Sequence, residues 1–229
     1  MKIAFIPVMA LVLMACQGNT QEKVQIKTQK DSVSYGIGMN IANNFKRQSV
    51  DIDPLVFTQA VKDVMSGGKT LMTEDQATDA LAGLQQRMMA SQAERMKTLG
   101  DKNKKDGEAF LAENKKKPGV VTTASGLQYK IMKAGTGPKP TLSQTVTVNY
   151  KGTLIDGTEF DSSYKRGQAV TRAVSGWIQG WVEALQLMPV GSKWQLFVPP
   201  SLAYADQPAG PLIGPNSTLV FELELISVK

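Results

Sequence analysis

Histidine is absent from the 229 residues and cysteine occurs once. The chain therefore lacks the side chain that most often serves as general base and zinc ligand, and it cannot close an intramolecular disulfide. Hydrolysis by a histidine-activated nucleophile, or by a zinc ion held on His and Cys, is excluded. Aromatic residues make up only 7% of the chain. Of the 26 basic residues behind the net charge of +6, nine lie between Arg87 and Lys117 among five acids, with Phe110 the one aromatic there. That pattern reads as a solvated helix face and not as a stacking platform, so no nucleic-acid partner is expected. The apolar run from Ile3 to Met14 is too short to cross a bilayer as a stop-transfer helix.

What is present begins with that run. Lys2 supplies the positive end of an export signal. Leu13-Met14-Ala15-Cys16 then sets a small residue before the lone cysteine and resembles the bacterial lipoprotein signal. The resemblance implies a signal peptide over residues 1–15, diacylation of Cys16 as the new N-terminus, and a membrane anchor. An ordinary cleaved signal with an incidental cysteine is the alternative. Lipidation removes a thiol that would otherwise be unpaired in an oxidising compartment. Several acyl chains, at ~0.8 kcal/mol per buried methylene, hold a protein firmly on a membrane. Gln17, in place of the aspartate associated with inner-membrane retention, favours the outer membrane, with the periplasmic or surface face left open. Residues 16–30 are polar and read as a flexible tether.

Order is expected from Asp31. Val33, Ile37, Ile41 and Phe45 recur at helical spacing, with Gly36, Gly38 and Ala42 leaving little bulk between them. Asp53-Pro54 caps a second short helix carrying Phe57, Ala60, Val61, Val64 and Met65, ended by Gly67-Gly68. Thr73 and Gln76 form a capping box for a third, long helix that runs to about Asn114, with a break expected near Gly100 or Gly107. Leu81, Leu84, Met88 and Met89 extend its apolar stripe. These stripes exceed what so few helices bury among themselves, so residues 31–117 are expected to form a helical dimerisation domain and a connecting helix, giving a homodimer.

Beyond Pro118 the periodicity changes to two. Leu127, Tyr129 and Ile131 alternate with Gln128 and Lys130; Trp194, Leu196 and Val198 with Gln195 and Phe197; Leu219, Phe221, Leu223 and Leu225 with Val220, Glu222, Glu224 and Ile226. One helix is expected over Gln179 to Leu187, ended by Met188-Pro189-Val190-Gly191. An antiparallel sheet wrapped on one short helix makes residues 118–229 an α+β domain. Within it, Thr145 to Asp161 reads as a hairpin across Asp156-Gly157. Simple pairing sets Phe160 opposite Thr153, out of line with Tyr150. The two rings share a pocket only if a bulge intervenes, near Gly152.

The segments VNYKGTL, DGTEFDSS, Ile178-Gln179-Gly180-Trp181, LAYA and IGPNSTLVFELELI occur in order at fitting intervals. Together they resemble the FKBP-type peptidyl-prolyl cis-trans isomerase domain. YGIGMNIA and AFLAENKKKPGV resemble the dimerising half of the macrophage-infectivity-potentiator branch of bacterial FKBPs. The resemblance implies isomerisation of X-Pro bonds in unfolded or folding polypeptides of the bacterial envelope, with chaperone activity between the arms. No cofactor or metal is required, and macrolide immunosuppressants are implied as a further ligand class. It places Tyr150, Phe160, Trp177, Trp181, Ile213 and Phe221 around the pocket, Trp181 as the floor. Asp161, the Tyr204 hydroxyl and the Ile178 N–H are assigned as polar contacts to substrate carbonyls. Three positions depart from the pattern. Arg172 stands where an aromatic or apolar wall residue is usual, Trp177 where valine is frequent, and Ala205 where glycine commonly follows the pocket tyrosine. An arginine can lay its stem along a ring with its charge in water, which favours acidic or polar peptides. The alternative function is a weak or inactive FKBP-fold module that binds peptides.

Overall fold

The computed structural model describes residues 24–229, so the expectations for the signal peptide, for Cys16 and for most of the tether lie outside the described residues. The described chain divides into two compact units, the first ending at Glu74 and the second spanning residues 75–229.

The first unit contains α1 (Gln29–Arg47) and α2 (Pro54–Ser66). Helix α1 starts two residues before the expected Asp31. Thr28 is its N-cap, and Asp31 completes a capping box, the side chain of each accepting from the backbone of the other. In α2 the Asp53 carboxylate accepts from Leu55 N–H and Pro54 opens the first turn; Gly67, at φ +67°, closes the helix in the left-handed region. Phe45 and Phe57 meet edge to face at 6.1 Å. Neither helix contains a buried residue: Ile37 is 56% exposed and Met65 82%.

All but the first residue of α3 (Glu74–Asn114), unbroken for 41 residues, belongs to the second unit. The expected break at Gly100 or Gly107 does not occur, because these glycines serve close packing. A Cβ on Gly107 would lie 2.3 Å from Thr218 Oγ1, and one on Gly100 3.2 Å from Pro215 Cβ. Seven strands follow: β1 (Val120–Thr122), β2 (Gln128–Lys133), β3 (Thr145–Leu154), β4 (Glu159–Ser162), β5 (Val170–Ala173), β6 (Lys193–Val198) and β7 (Leu219–Val228). All pairings are antiparallel in the order β1-β2-β6-β7-β3, with β4 and β5 sharing the far edge of β3. Helix α4 (Gln179–Leu187) has the expected bounds and turns Trp181, Val182, Ala184 and Leu185 into the core.

The alternations in β3 and β7 place Val146, Val148 and Tyr150 with Leu219, Phe221, Leu223 and Leu225 against α4. Two strand expectations need correction. Ile131 is exposed (49%) whereas Gln128 is buried, and Phe197 is buried as well as its neighbours Leu196 and Val198. The burial of Gln128 and Phe197 is due to α3, which covers this part of the sheet's outer side. Phe110 meets Phe197 with ring centroids 5.9 Å apart, Gln128 Nε2 donates to Leu111 C=O at 2.9 Å, and Asn114 Nδ2 donates to Gln128 Oε1 at 2.9 Å.

Candidate active site

The hairpin that carries the site is not the two-residue turn expected. Gly157 N–H donates to Leu154 C=O and Leu154 N–H to Thr158 C=O, so three residues, Ile155 to Gly157, form the loop, with Gly157 at φ +90°. Thr153 pairs with Glu159 but Gly152 with Asp161, which leaves Phe160 as the extra residue of a bulge at the expected place. The bulge turns Phe160 inward over Gly152. A Cβ there would sit 2.6 Å from the Phe160 ring and 2.9 Å from that of Phe221, so only glycine lets both rings cross this strand.

The rings then form a continuous wall. Trp181, 2% exposed in the first turn of α4, is the floor. Tyr150 and Phe221 meet it edge-on at 5.1 Å each, and Phe160 meets Phe221 at 5.6 Å. Trp177, just before α4, lies 4.7 Å from Trp181. With Asp161, Arg172, Gly176, Ile178 and Tyr204 they line an open cavity of about 410 Å³. Of the expected pocket residues only Ile213 is elsewhere: it is buried in the core, its carbonyl accepting from Ala209 N–H, and it does not line the cavity.

Arg166, in the turn after β4, is a site residue the sequence did not reveal. Its guanidinium pairs with Asp161, donates to the Tyr150 hydroxyl at 2.8 Å and lies 5.4 Å from the centre of that ring. The Tyr150 hydroxyl donates to the second Asp161 oxygen. Burial pushes the Asp161 carboxyl up, but the Tyr150 hydroxyl and the Arg166 guanidinium outweigh it and hold the group below its ordinary value. Burial first, and Asp161 second, raise the Tyr150 phenol above its ordinary value, so it remains a donor. An ionised carboxylate only accepts, and both oxygens of Asp161 are engaged. Asp161 therefore has no hydrogen bond to give a substrate carbonyl; what it supplies is charge and a fixed Tyr150.

The donors at the mouth are different groups. Among the described residues no acceptor meets the Ile178 N–H or the Tyr204 hydroxyl, the latter on a side chain 41% exposed. Arg172 is exposed, lays its stem over the backbone of Gly176 and holds its guanidinium 5.5 Å from the centre of the Trp177 ring. A Cβ on Gly176 would approach Arg172 Nε to 2.7 Å, so this glycine makes room for the arginine. Ala205, beside Tyr204, adopts φ +52°, the left-handed backbone for which glycine is the usual choice. Arg172 and Trp177 line the cavity without closing it, and Ala205 does not line it. Among the described residues no three acidic or thiol side chains gather as a metal site needs.

The arrangement has known counterparts. A family model described as FKBP-type peptidyl-prolyl cis-trans isomerase matches residues 137–226, and one described as the domain amino terminal to it matches residues 30–131. Over its full length the chain is 48% identical to the outer membrane protein MIP of Legionella longbeachae, spanning 98% of that protein. It is 44% identical to the peptidyl-prolyl cis-trans isomerase Mip of Coxiella burnetii across 89% of each chain. The crystal structure of FkpA from Escherichia coli matches 90% of this chain and 99% of its own, with a TM-score of 0.74 at 34% identity.

Proposed function

The chain belongs to the FKBP-type peptidyl-prolyl cis-trans isomerases, and from this membership we propose that the cavity floored by Trp181 is where an X-Pro bond is twisted. Rotation about that bond costs ~18–20 kcal/mol because amide resonance is lost midway. No covalent bond forms or breaks, so the site needs no nucleophile, only a surrounding that favours the twisted amide over the planar one. Tyr150, Phe160, Trp177, Trp181 and Phe221 take the proline ring out of water, where the planar amide's larger polarity loses its hydration. The Ile178 N–H and the Tyr204 hydroxyl give hydrogen bonds to the carbonyls on either side of it. Asp161, held by Arg166 and Tyr150, lends negative charge beside the amide without a proton changing hands. Arg172 sits at the rim and meets the residues flanking the proline.

The observation that carries this reading is the set of edge-to-face rings left open around an aromatic floor, with an unpaired N–H at its lip. Its test is catalysed isomerisation of an apolar prolyl tetrapeptide by a soluble form beginning at Gln17. Phe160→Ala, which removes a half-buried wall ring and leaves the floor, lowers kcat/KM about tenfold or more. Equal rates in the two proteins would remove the cavity from the mechanism.

Around this centre the working molecule is a homodimer joined through α1 and α2, with a cleft between two isomerase arms that holds folding polypeptides. Macrolides that present an apolar ring and carbonyl acceptors fit the same cavity. A relative named as an outer membrane protein supports a place in the bacterial envelope. The finer proposal is a lipid anchor on Cys16 in the outer membrane. Mass spectrometry of the mature N-terminus reads the acyl chains directly, and an unmodified residue there would end it.

A further inference from the structure

Helix α3 does more than cover the sheet. Within the second unit its residues Met96, Gly100, Asn103, Gly107, Phe110 and Asn114 lie along the more buried face of the helix, and the first part of that face meets the segment between Tyr204 and β7. Asn103 Nδ2 donates to Pro215 C=O at 2.8 Å and reaches Ser217 Oγ at 3.4 Å. Asn216 Nδ2 donates back to Gly100 C=O at 3.4 Å, while Asn216 N–H donates to Ala205 C=O at 2.8 Å. Ala205 is the residue after Tyr204. It and Asn216 are both held at positive φ, +52° and +54°. Backbone of that kind persists only where the surroundings fix it: Ala205 is tied to Pro200 C=O and to Asn216, and Asn216 in turn to the helix at Gly100. A Cβ on Gly214 would fall 2.9 Å from the Leu99 side chain, so no slack remains at this joint.

We propose that Asn103 is a positioning residue for the isomerase site, acting through Pro215, Asn216 and Ala205 to hold Tyr204 at the cavity mouth. The functional catalytic unit then includes the second half of α3, a helix that does not line the cavity. The proposal rests on the reading that the Tyr204 hydroxyl donates to substrate. A donor that must meet a carbonyl within hydrogen-bond range is sensitive to displacements of a few tenths of an ångström, whereas the aromatic floor, fixed by β3, β7 and α4, is not.

The experiment is a double-mutant cycle in the soluble form beginning at Gln17, reading kcat/KM on an apolar prolyl tetrapeptide and the melting curve of each variant. Asn103→Ala lowers kcat/KM about fivefold, and Asn103→Asp, which keeps the shape but removes the donor, does the same. In a Tyr204→Phe background, Asn103→Ala has no further effect on kcat/KM. A loss that is undiminished in Tyr204→Phe, or wild-type turnover in both Asn103 variants, overturns the proposal. Wild-type turnover in Tyr204→Phe alone is a separate outcome: it withdraws the polar role of Tyr204, and the proposal with it, while leaving the aromatic cavity standing. Should Asn103→Ala fail to fold, Asn103→Ser, with a shorter donor, gives the same cycle.

Discussion

Asp161 combines a structural and an electrostatic task, and pH separates them. Its folded pKa is depressed below the ordinary 3.8, so the stability it contributes is fully present above that value and is lost as pH falls through the lower folded pKa. The melting difference between the protein and Asp161→Asn is accordingly constant from neutrality down to mildly acidic pH and closes in strong acid; a difference that grew on acidification would have the sign wrong. On the proposed role of Asp161, Asp161→Asn is also expected to lower turnover at neutral pH, because it removes the charge while the side-chain shape remains. Arg172 acts at the rim, apart from the Asp161 cluster. Its guanidinium lies against Trp177, exposed and outside every ion pair among the described residues. Exposed pairs are worth ~0.2–1 kcal/mol, so a peptide with glutamate near the proline gains at most about fivefold over one with lysine. Salt erases the preference. Arg172→Phe removes it and raises turnover of apolar peptides, and equal rates for both peptides at low salt would reduce Arg172 to a bystander. The rings of this site were legible because aromatic residues are few and sit in recognisable segments. Arg166 was not: a basic residue beside Lys165 in a polar turn carries no signal until folding brings it to Asp161.

At the scale of the element, the clearest contrast is between β3 and α3. The need for a bulge near Gly152 could be deduced from the register alone, since two rings on one pocket wall and a straight hairpin were incompatible. The α4 bounds likewise followed from its stripe and from Met188-Pro189 behind it. In α3 the visible apolar stripe leaves Leu81 and Met89 exposed and Leu84 and Met88 only half-buried, whereas the packed face passes through Gly100, Asn103, Gly107 and Asn114. Hydrophobic periodicity does not register a face made of glycine and asparagine, which is why these glycines read as breaks when they are contact points. The distinction is measurable. A glycine that merely weakens a helix is improved by any better helix former, by up to ~1 kcal/mol. Gly107→Leu, by contrast, drives a side chain into Thr218 and the sheet and costs about 1–3 kcal/mol from overpacking. The melting transition of the C-terminal unit then falls by several degrees at ~2–4 °C per kcal/mol. A rise would show that the helix lifts freely off the sheet.

For the whole molecule, the question is what holds α1 and α2 folded. Most helical stability in proteins comes from packing an apolar face, and neither helix contains a buried side chain among the described residues. Val33, Tyr35, Ile37 and Met39 on α1, with Leu55, Val64 and Met65 on α2, leave large apolar surfaces open, more than a stable monomeric unit ordinarily shows. A second copy of the same helices is the simplest cover, since a two-fold pairing needs only one self-complementary patch. The soluble form is therefore expected to sediment as a dimer at micromolar concentration. Ile37→Glu, which would place an unpaired carboxylate in that interface, shifts it to monomer and lowers the helical signal of the first unit. Turnover of a short prolyl peptide stays unchanged, because every residue of the cavity lies in the second unit. Refolding of a proline-limited protein substrate is expected to slow if the proposed cleft between two arms holds the folding chain. A wild-type monomer at those concentrations would leave the apolar faces of α1 and α2 without a partner and end the dimer proposal; loss of short-peptide turnover in Ile37→Glu would instead mean that the cavity depends on the assembly.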